Sequence, residues 1–248
     1  MYTFPLITRS ARRRGDLALP PAARWWSFDR LAGDGKCPAN AGGDNLRINP
    51  AGGVGEGGLA AGYYGQALQQ PKPDSSQNNA ILSSPDTYLP LDGYHDLVVA
   101  MWVNMAGGND LFLSGATGLK WSGGGGTIFT PWLDGESYGH TIWAPANTPT
   151  IDVWQHWLHH IYIDSGQVNH ALYLDGALVE TETDIHAADA VGEWGSSILL
   201  ANTTSSDAGG CLIDELLIAP GWRPSAADVQ RLYRHSLRSS THHAGIIA

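Results

Sequence analysis

Residues 210–233, GCLIDELLIAPGWRPSAADVQRLY, set a strand-like run directly before a helix-like one. Within it 211–219 is apolar except for Asp214 and Glu215, and is short enough to be a strand covered on both faces. Successive strand residues point to opposite faces, so Asp214 and Glu215 are expected to leave on different sides. At least one must then meet a cation, a metal or backbone N–H groups, because a buried carboxylate without a partner is too costly. Pro220, Gly221 and Pro224 stop the strand. Ser225 is a natural helix N-cap with Asp228 at the capping-box position, and Val229, Leu232, Tyr233 and Leu237 recur at helical spacing. The stretch predicts a closing strand followed by one amphipathic helix.

Working outward, the rest of the chain reads as strands. A length of 248 residues suits one large all-β domain with a full core, and 31 glycines with few helix formers before Ser225 favour many strands joined by tight turns. The alternating run 24–29 opens the body, and 96–104, DLVVAMWVN, has the length and apolarity of a central strand. Shorter strands are expected in 63–69, 80–91, 111–114, 119–121, 127–132, 138–143 and 196–202. Residues 157–164 form another, and 169–174 and 177–183 flank Asp175-Gly176, a pair that favours a tight hairpin. Residues 33–58 read as a series of turns and 70–79 as a polar loop. The glycine run 52–58 lacks the Lys-Ser/Thr and the strand–helix context of a phosphate loop.

The formal net charge is −10, unevenly spread. An arm over 1–24 carries Arg9, Arg12, Arg13, Arg14 and Arg24 against Asp16 alone, whereas 25–230 holds six Lys or Arg against 23 Asp or Glu. An acidic body disfavours nucleic acid. The arm is either a solvated leader or, through Arg9, Arg12, Arg13 and Arg14, a docking segment for an acidic partner surface. The N-terminus lacks the long apolar core of a secretory signal, and no run is apolar enough to span a membrane. The organisation expected is an arm over 1–24, one sandwich over 25–238 including the helix, and a loose tail over 239–248.

The motifs and their order resemble the concanavalin A-like, laminin-G-like jelly-roll family from Trp25 to Tyr233. An opening W-x-F-D is similar to Trp26-Ser27-Phe28-Asp29, and G-x-A-L to Gly65-Gln66-Ala67-Leu68. The family's central tryptophan strand corresponds to Trp102, its W-x-H strand to Trp157-Leu158-His159, and its Y-x-D-G hairpin to Tyr173-Leu174-Asp175-Gly176. The closing I-D-E corresponds to Ile213-Asp214-Glu215; Leu217, where a basic residue is common, departs from the pattern. The resemblance implies an all-β, two-sheet antiparallel jelly-roll sandwich whose first and last strands are neighbours. Cys37 and Cys211 would then be near enough for a bridge, although a reducing compartment would keep both as thiols. Some relatives hold a structural calcium between opening and closing segments; here Asp29 and Asp214 would be its ligands, the alternative being that Asp214 accepts backbone N–H bonds. No other cofactor is implied.

The fold hosts glycosidases, lyases, lectins and structural modules, so function must come from a site. Glu180, Glu182 and Asp184 share one strand face, but their E-x-E-x-D spacing differs from the glucanase patterns and reads as a solvated face. His156, His159 and His160 resemble zinc ligands only superficially: His159 and His160 face opposite ways, with a packed His159 and a surface His160 expected. Trp121, Trp132, Tyr138, His140 and Trp143 fall in the glycine-rich middle, where sugar-binding members of the fold carry a groove; these rings either stack on sugars, with Asp134, Glu136 and Asn147 beside them, or fill core and oligomer contacts. The leading functional expectation is a non-catalytic, virion-associated structural protein. It would be a bacteriophage head-decoration or tail accessory protein, homo-oligomeric or bound to a capsid or tail protein, and assembled in the host cytoplasm. The alternative is a carbohydrate-binding module of a cell-surface or secreted protein, binding a surface glycan; a glycoside hydrolase or polysaccharide lyase comes last.

Overall fold

The computed structural model describes residues 17–29, 36–37, 46–48, 58–70, 80–83, 94–105, 110–114, 119–122, 127–129, 132–133, 136–137, 140–142, 150, 152–187, 199–202 and 211–234. The strands are β1 Arg24–Trp26, β2 Lys36–Cys37, β3 Leu46–Ile48, β4 Gly58–Ala61, β5 Gln66–Gln70, β6 Ala80–Ser83, β7 Asp96–Met105, β8 Asp110–Ser114 and β9 Leu119–Ser122. They continue as β10 Thr127–Phe129, β11 Trp132–Leu133, β12 Glu136–Ser137, β13 His140–Ile142, β14 Trp154–Asp164, β15 Gln167–Leu174, β16 Ala177–Ala187, β17 Leu199–Asn202 and β18 Cys211–Pro220, before helix α1 Ala226–Arg234.

Two antiparallel sheets form a jelly-roll sandwich. One runs β16-β15-β14-β7-β18-β5-β4, with β1 also paired to β18; the other runs β13-β10-β9-β8-β17-β6-β3-β2. The first and last strands are therefore neighbours, with Trp25 opposite Leu217. Residues 33–58, expected as turns, contribute β2 and β3 to the second sheet: two- and three-residue strands are too short for any alternation to show.

The core between the sheets is built from one face of the long strands. Val99, Met101, Trp157, Leu172 and Leu216 meet Trp26, and Cys37 and Leu46 join them from the second sheet. The opposite face of the same strands buries Val98, Ala100, Leu158 and Leu217 under Trp25, Val229 and Leu232. β7 is thus covered on both sides, which explains why its sequence is a continuous apolar run and does not alternate. The side chain of Cys211 lies outside the described residues, so a bridge to the buried Cys37 is not addressed by these contacts.

The helix begins where its cap predicts. Ser225 Oγ accepts the Asp228 amide at 3.2 Å, and Asp228 Oδ2 accepts the Ser225 amide at 3.0 Å, a reciprocal box in which Asp replaces the usual Glu. Arg231 and Arg234 in the last turn complement the helix dipole. The hairpin at Asp175-Gly176 is a two-residue turn with φ of 50° and 79°, as its sequence predicts. Gln230 Nε2 donates to Gly176 O at 2.6 Å and so ties helix to hairpin.

Ser225→Ala is expected to cost about 1 kcal/mol, read as a lower urea midpoint at unchanged slope.

Candidate functional site

The site starts from the two acids of β18. They do not leave on opposite faces as strict alternation predicts. Asp214 faces Trp102 and Leu217 faces Ala100, so Glu215 and Leu216 of β18 oppose Met101 alone on β7, and Glu215 takes a left-handed φ of 55°. This bulge turns both carboxylates away from the core between the sheets. Asp214 Oδ2 accepts the Tyr64 amide at 2.8 Å and Oδ1 the Glu215 amide at 2.8 Å, while Glu215 Oε2 accepts the Trp25 indole N–H at 2.9 Å. Each oxygen of this buried carboxylate thus accepts an amide donor. Asp29 reaches the same turn: Oδ1 accepts the Gln66 amide at 3.4 Å and Oδ2 the Ser27 hydroxyl at 3.0 Å.

The turn so held is Gly62-Tyr63-Tyr64-Gly65, between β4 and β5. A Cβ on Gly62 would stand 2.8 Å from Asp214 Oδ2 and 2.7 Å from the Gln66 carbonyl carbon, so only glycine lets the carboxylate approach. Beyond it Tyr63 lies flat on Trp102, ring centroids 3.5 Å apart and 12° from parallel. Tyr64 meets the edge of Tyr63 at 4.7 Å, and Trp154 tilts toward it at 6.2 Å. Tyr233 of the helix also stacks on Trp102, at 5.7 Å, and His156 packs against that indole at 5.3 Å. The result is a shelf of rings on the helix-bearing face, with Trp102 only 2% exposed at its base and Tyr63 43% exposed at its top. Partial burial, then the nearby Tyr233 and Asp175, push the Tyr63 phenol up, so it stays a neutral hydroxyl at any physiological pH.

Histidines support the shelf from β14. His156 donates its backbone N–H to Asp175 Oδ1 at 2.8 Å, and burial drives its imidazole down to about 3; its Nδ1 is buried with no hydrogen-bond partner. His159 is packed in the core, as expected, with Nε2 3.1 Å from Nδ1 of His170 and the rings stacked. Burial, then His170 and His160, hold it well below the ordinary range. His160 is not the surface residue its sequence context suggests: it is 5% exposed and bonds Asp96 Oδ1 at 2.9 Å. Arg223 Nε donates to the same oxygen at 2.7 Å and its guanidinium lies 5.0 Å over Tyr162. Those partners stand 64 and 127 positions from their mates, beyond any local pattern. Among the described residues no group of three or more His, Cys, Asp or Glu is placed to hold a metal, and no helix is long and apolar enough to cross a membrane.

Of the aromatic residues singled out in the sequence, three fall on described strands outside the sheet that carries the shelf. Trp121 is on β9 opposite Leu111 and His140 on β13 opposite Phe129, both in the second sheet, whereas Trp132 is in the separate β11-β12 pair. Tyr138, Trp143 and the arm residues Arg9, Arg12, Arg13 and Arg14 lie outside the described residues, as do the side chains of the other three. Glu180 and Glu182 sit on the edge strand β16, opposite Leu172 and His170, and the Asp184 side chain is not described. The shelf itself was missed. Two signals pointed to it: a Tyr-Tyr pair between glycines at 62–65, and Trp154 and His156 two apart on a strand.

The sandwich is similar to several solved binding domains. The receptor-binding domain of botulinum neurotoxin type G superposes with a TM-score of 0.59 at 14% identity, covering 85% of this chain and 50% of that one. The binding domain of Paraclostridial mosquitocidal protein 1 gives 0.61 at 11% identity, covering 86% and 52%. The ligand-binding domain of botulinum neurotoxin serotype D, solved with N-acetylneuraminic acid, gives 0.57 at 11% identity, covering 87% and 51%. The chain thus spans about half the length of these domains, and the likeness is one of fold: a lectin-like jelly roll of the kind found in toxin receptor-binding domains. No family model and no curated protein matches the sequence.

Three outcomes test this description. Asp214→Ala leaves the Tyr64 and Glu215 amides without their acceptor and should cost about 3 kcal/mol. Because all four oxygens of Asp29 and Asp214 already face donors, adding Ca²⁺ or a chelator should move the melting temperature by less than about 1 °C. The third outcome concerns pH. His156, near 3 when folded and about 6.5 when unfolded, takes a proton only on unfolding between those values. Its stabilisation is complete above the unfolded value and falls with pH, by roughly 2 kcal/mol at pH 5, and His159 and His160 act in the same direction. Urea midpoints should therefore drop between about pH 7 and pH 5; an unchanged midpoint would contradict the burial of neutral imidazoles.

Proposed function

We propose that this chain is a non-catalytic carbohydrate-binding module of a cell-surface or secreted protein. The observation that carries this reading is the Tyr63 shelf. A large ring is held flat and partly exposed at a turn whose backbone is locked by a buried carboxylate. Aromatic rings left exposed on a rigid scaffold are characteristic of recognition surfaces. The fold supports the reading too, since the similar solved domains are described as receptor-binding or ligand-binding, one of them in complex with a sugar acid. The motif order quoted above keeps the concanavalin A-like, laminin-G-like family as the finer placement.

A head-decoration or tail role on a virion draws on the basic arm, and none of the three similar domains named above comes from a virion. The binding-module reading is the better supported of the two. Catalysis is not part of it: Glu180 and Glu182 lie on an edge strand, and Glu180 accepts the Thr181 amide at 3.2 Å as an ordinary exposed carboxylate does.

A glycan array with wild-type chain and with Tyr63→Ala is the direct test. Binding to at least one glycan class is expected, weakened roughly tenfold by Tyr63→Ala. Trp132→Ala and Trp143→Ala, which address the groove suggested by the glycine-rich middle, should leave it unchanged. An array blank in every class would overturn the proposal, and loss only with Trp132→Ala or Trp143→Ala would move the site to that second region.

A further inference from the structure

Among the described residues, the groups that act on the exposed ring's hydroxyl are of one electrostatic kind. Asp175 and Tyr233 are the charged and polar neighbours whose fields reach the Tyr63 hydroxyl. Asp175 Oδ1 is occupied by the His156 amide. Among the described residues its Oδ2 takes no hydrogen bond, and neither do the hydroxyls of Tyr63 and Tyr233. Arg223, on the same face of the sheet, is engaged with Asp96 and Tyr162. The formal charge of the whole chain, −10, has the same sign as Asp175.

Resting on the carbohydrate-binding reading, we propose that the shelf takes an uncharged pyranoside and rejects anionic sugars. The C–H face of one sugar ring lies on the free face of Tyr63, and its hydroxyls donate to Asp175 Oδ2 and bond the hydroxyls of Tyr63 and Tyr233.

Geometry sets the size of the occupant. Trp102 covers one face of Tyr63 at 3.5 Å, so the exposure of that ring belongs to its other face and outer edge. Tyr64 at 4.7 Å and Trp154 at 6.2 Å stand beside it at steep angles, which bounds the platform to about one ring. Polarity sets the class. A carboxylate with a spare oxygen and two neutral hydroxyls offer acceptors and donors to sugar hydroxyls, whereas a second carboxylate brought beside Asp175 on a partly desolvated surface is repelled. Rigidity lowers the ordering cost on binding. Asp175 is fixed by a two-way bond with the His156 backbone, at 2.8 Å in each direction. Tyr233 is fixed by the helix, whose Gln230 is tied to Gly176, and its ring would stand 3.0 Å from a Cβ on that glycine.

The experiment is calorimetric titration of the full chain with uncharged trisaccharides of glucose, galactose, mannose and N-acetylglucosamine, with N-acetylneuraminic acid and a sialylated trisaccharide as anionic counterparts, and with a proline-rich peptide. At least one uncharged sugar should bind, and its anionic counterpart at least about tenfold more weakly. Tyr63→Ala should weaken the uncharged sugar roughly tenfold, and Tyr63→Phe, which keeps the stack and loses the hydroxyl, by a smaller factor of about three. Asp175→Asn keeps an acceptor and tolerates the left-handed φ, so it should fold while narrowing the neutral-over-anionic preference several-fold. Tighter binding of the anionic sugar would overturn the proposal, as would uncharged-sugar binding indifferent to Tyr63→Ala, or peptide binding in place of sugar. Those results leave the module reading standing if the glycan array is positive; a blank array removes both.

Discussion

Two adjacent carboxylates inside the closing strand are the constraint on which the remainder depends. β18 lies between β7 and β5 with apolar residues on both faces, and a flat strand would drive one acid of the pair into the core between the sheets. The bulge at Glu215 resolves this by inserting one residue, at the cost of a non-glycine residue in the left-handed region, about 1–2 kcal/mol. Each acid then meets a donor from a different segment. Asp214 holds the turn after β4 and Glu215 holds the indole that follows the start of β1, so one irregularity in the last strand locates two early parts of the chain. Removing either acid alone would leave a buried donor unsatisfied, which is why such a pair specifies one arrangement more strongly than its modest net hydrogen-bond energy suggests.

The same bulge places the shelf. Tyr63 neighbours the amide that Asp214 holds, and the stack on Trp102 lies directly across the pairing of Asp214 with Trp102 and of Trp102 with His156. Clamp, base and support are therefore successive residues across β18, β7 and β14. Helix α1 closes the other side by burying Val229 and Leu232 and laying Tyr233 on the glycine of the 175–176 hairpin. Ordering of the exposed ring is settled by folding and need not await a ligand.

Three features were legible because their signal is local. The Ser225 cap, the Asp175-Gly176 turn and the apolar run of β7 each depend on residues a few positions apart, and each formed as read. Local signal failed where the deciding partner was distant. His160 looked like a surface residue because Asp96 and Arg223, which cover it, are strangers in the sequence. Alternation puts Asp214 and Glu215 on opposite faces because it assumes a regular strand, and the bulge is visible only in the register with β7. In the sequence Trp102 and Tyr233 read singly, as a strand tryptophan and a helix position. Their grouping with Tyr63 and Trp154 needed the order of the strands, which periodicity within one strand does not contain.

The proposed recognition surface falls on the helix-bearing face because of how the sandwich is filled. Between the sheets the described side chains of β7, β14, β15 and β18 interlock with Trp26, Phe28, Cys37 and Leu46, and a ligand would have to displace that packing. On the opposite face the helix covers one part of the sheet, and the turn at 62–65 stands over another. What the turn displays is decoupled from what holds it: the clamp is a buried carboxylate bonded to backbone, indifferent to the side chain at 63, whereas the displayed group is that side chain. Substitution at 63 would thus change what the proposed surface displays while the amide bonds at Asp214, and the fold they organise, are retained.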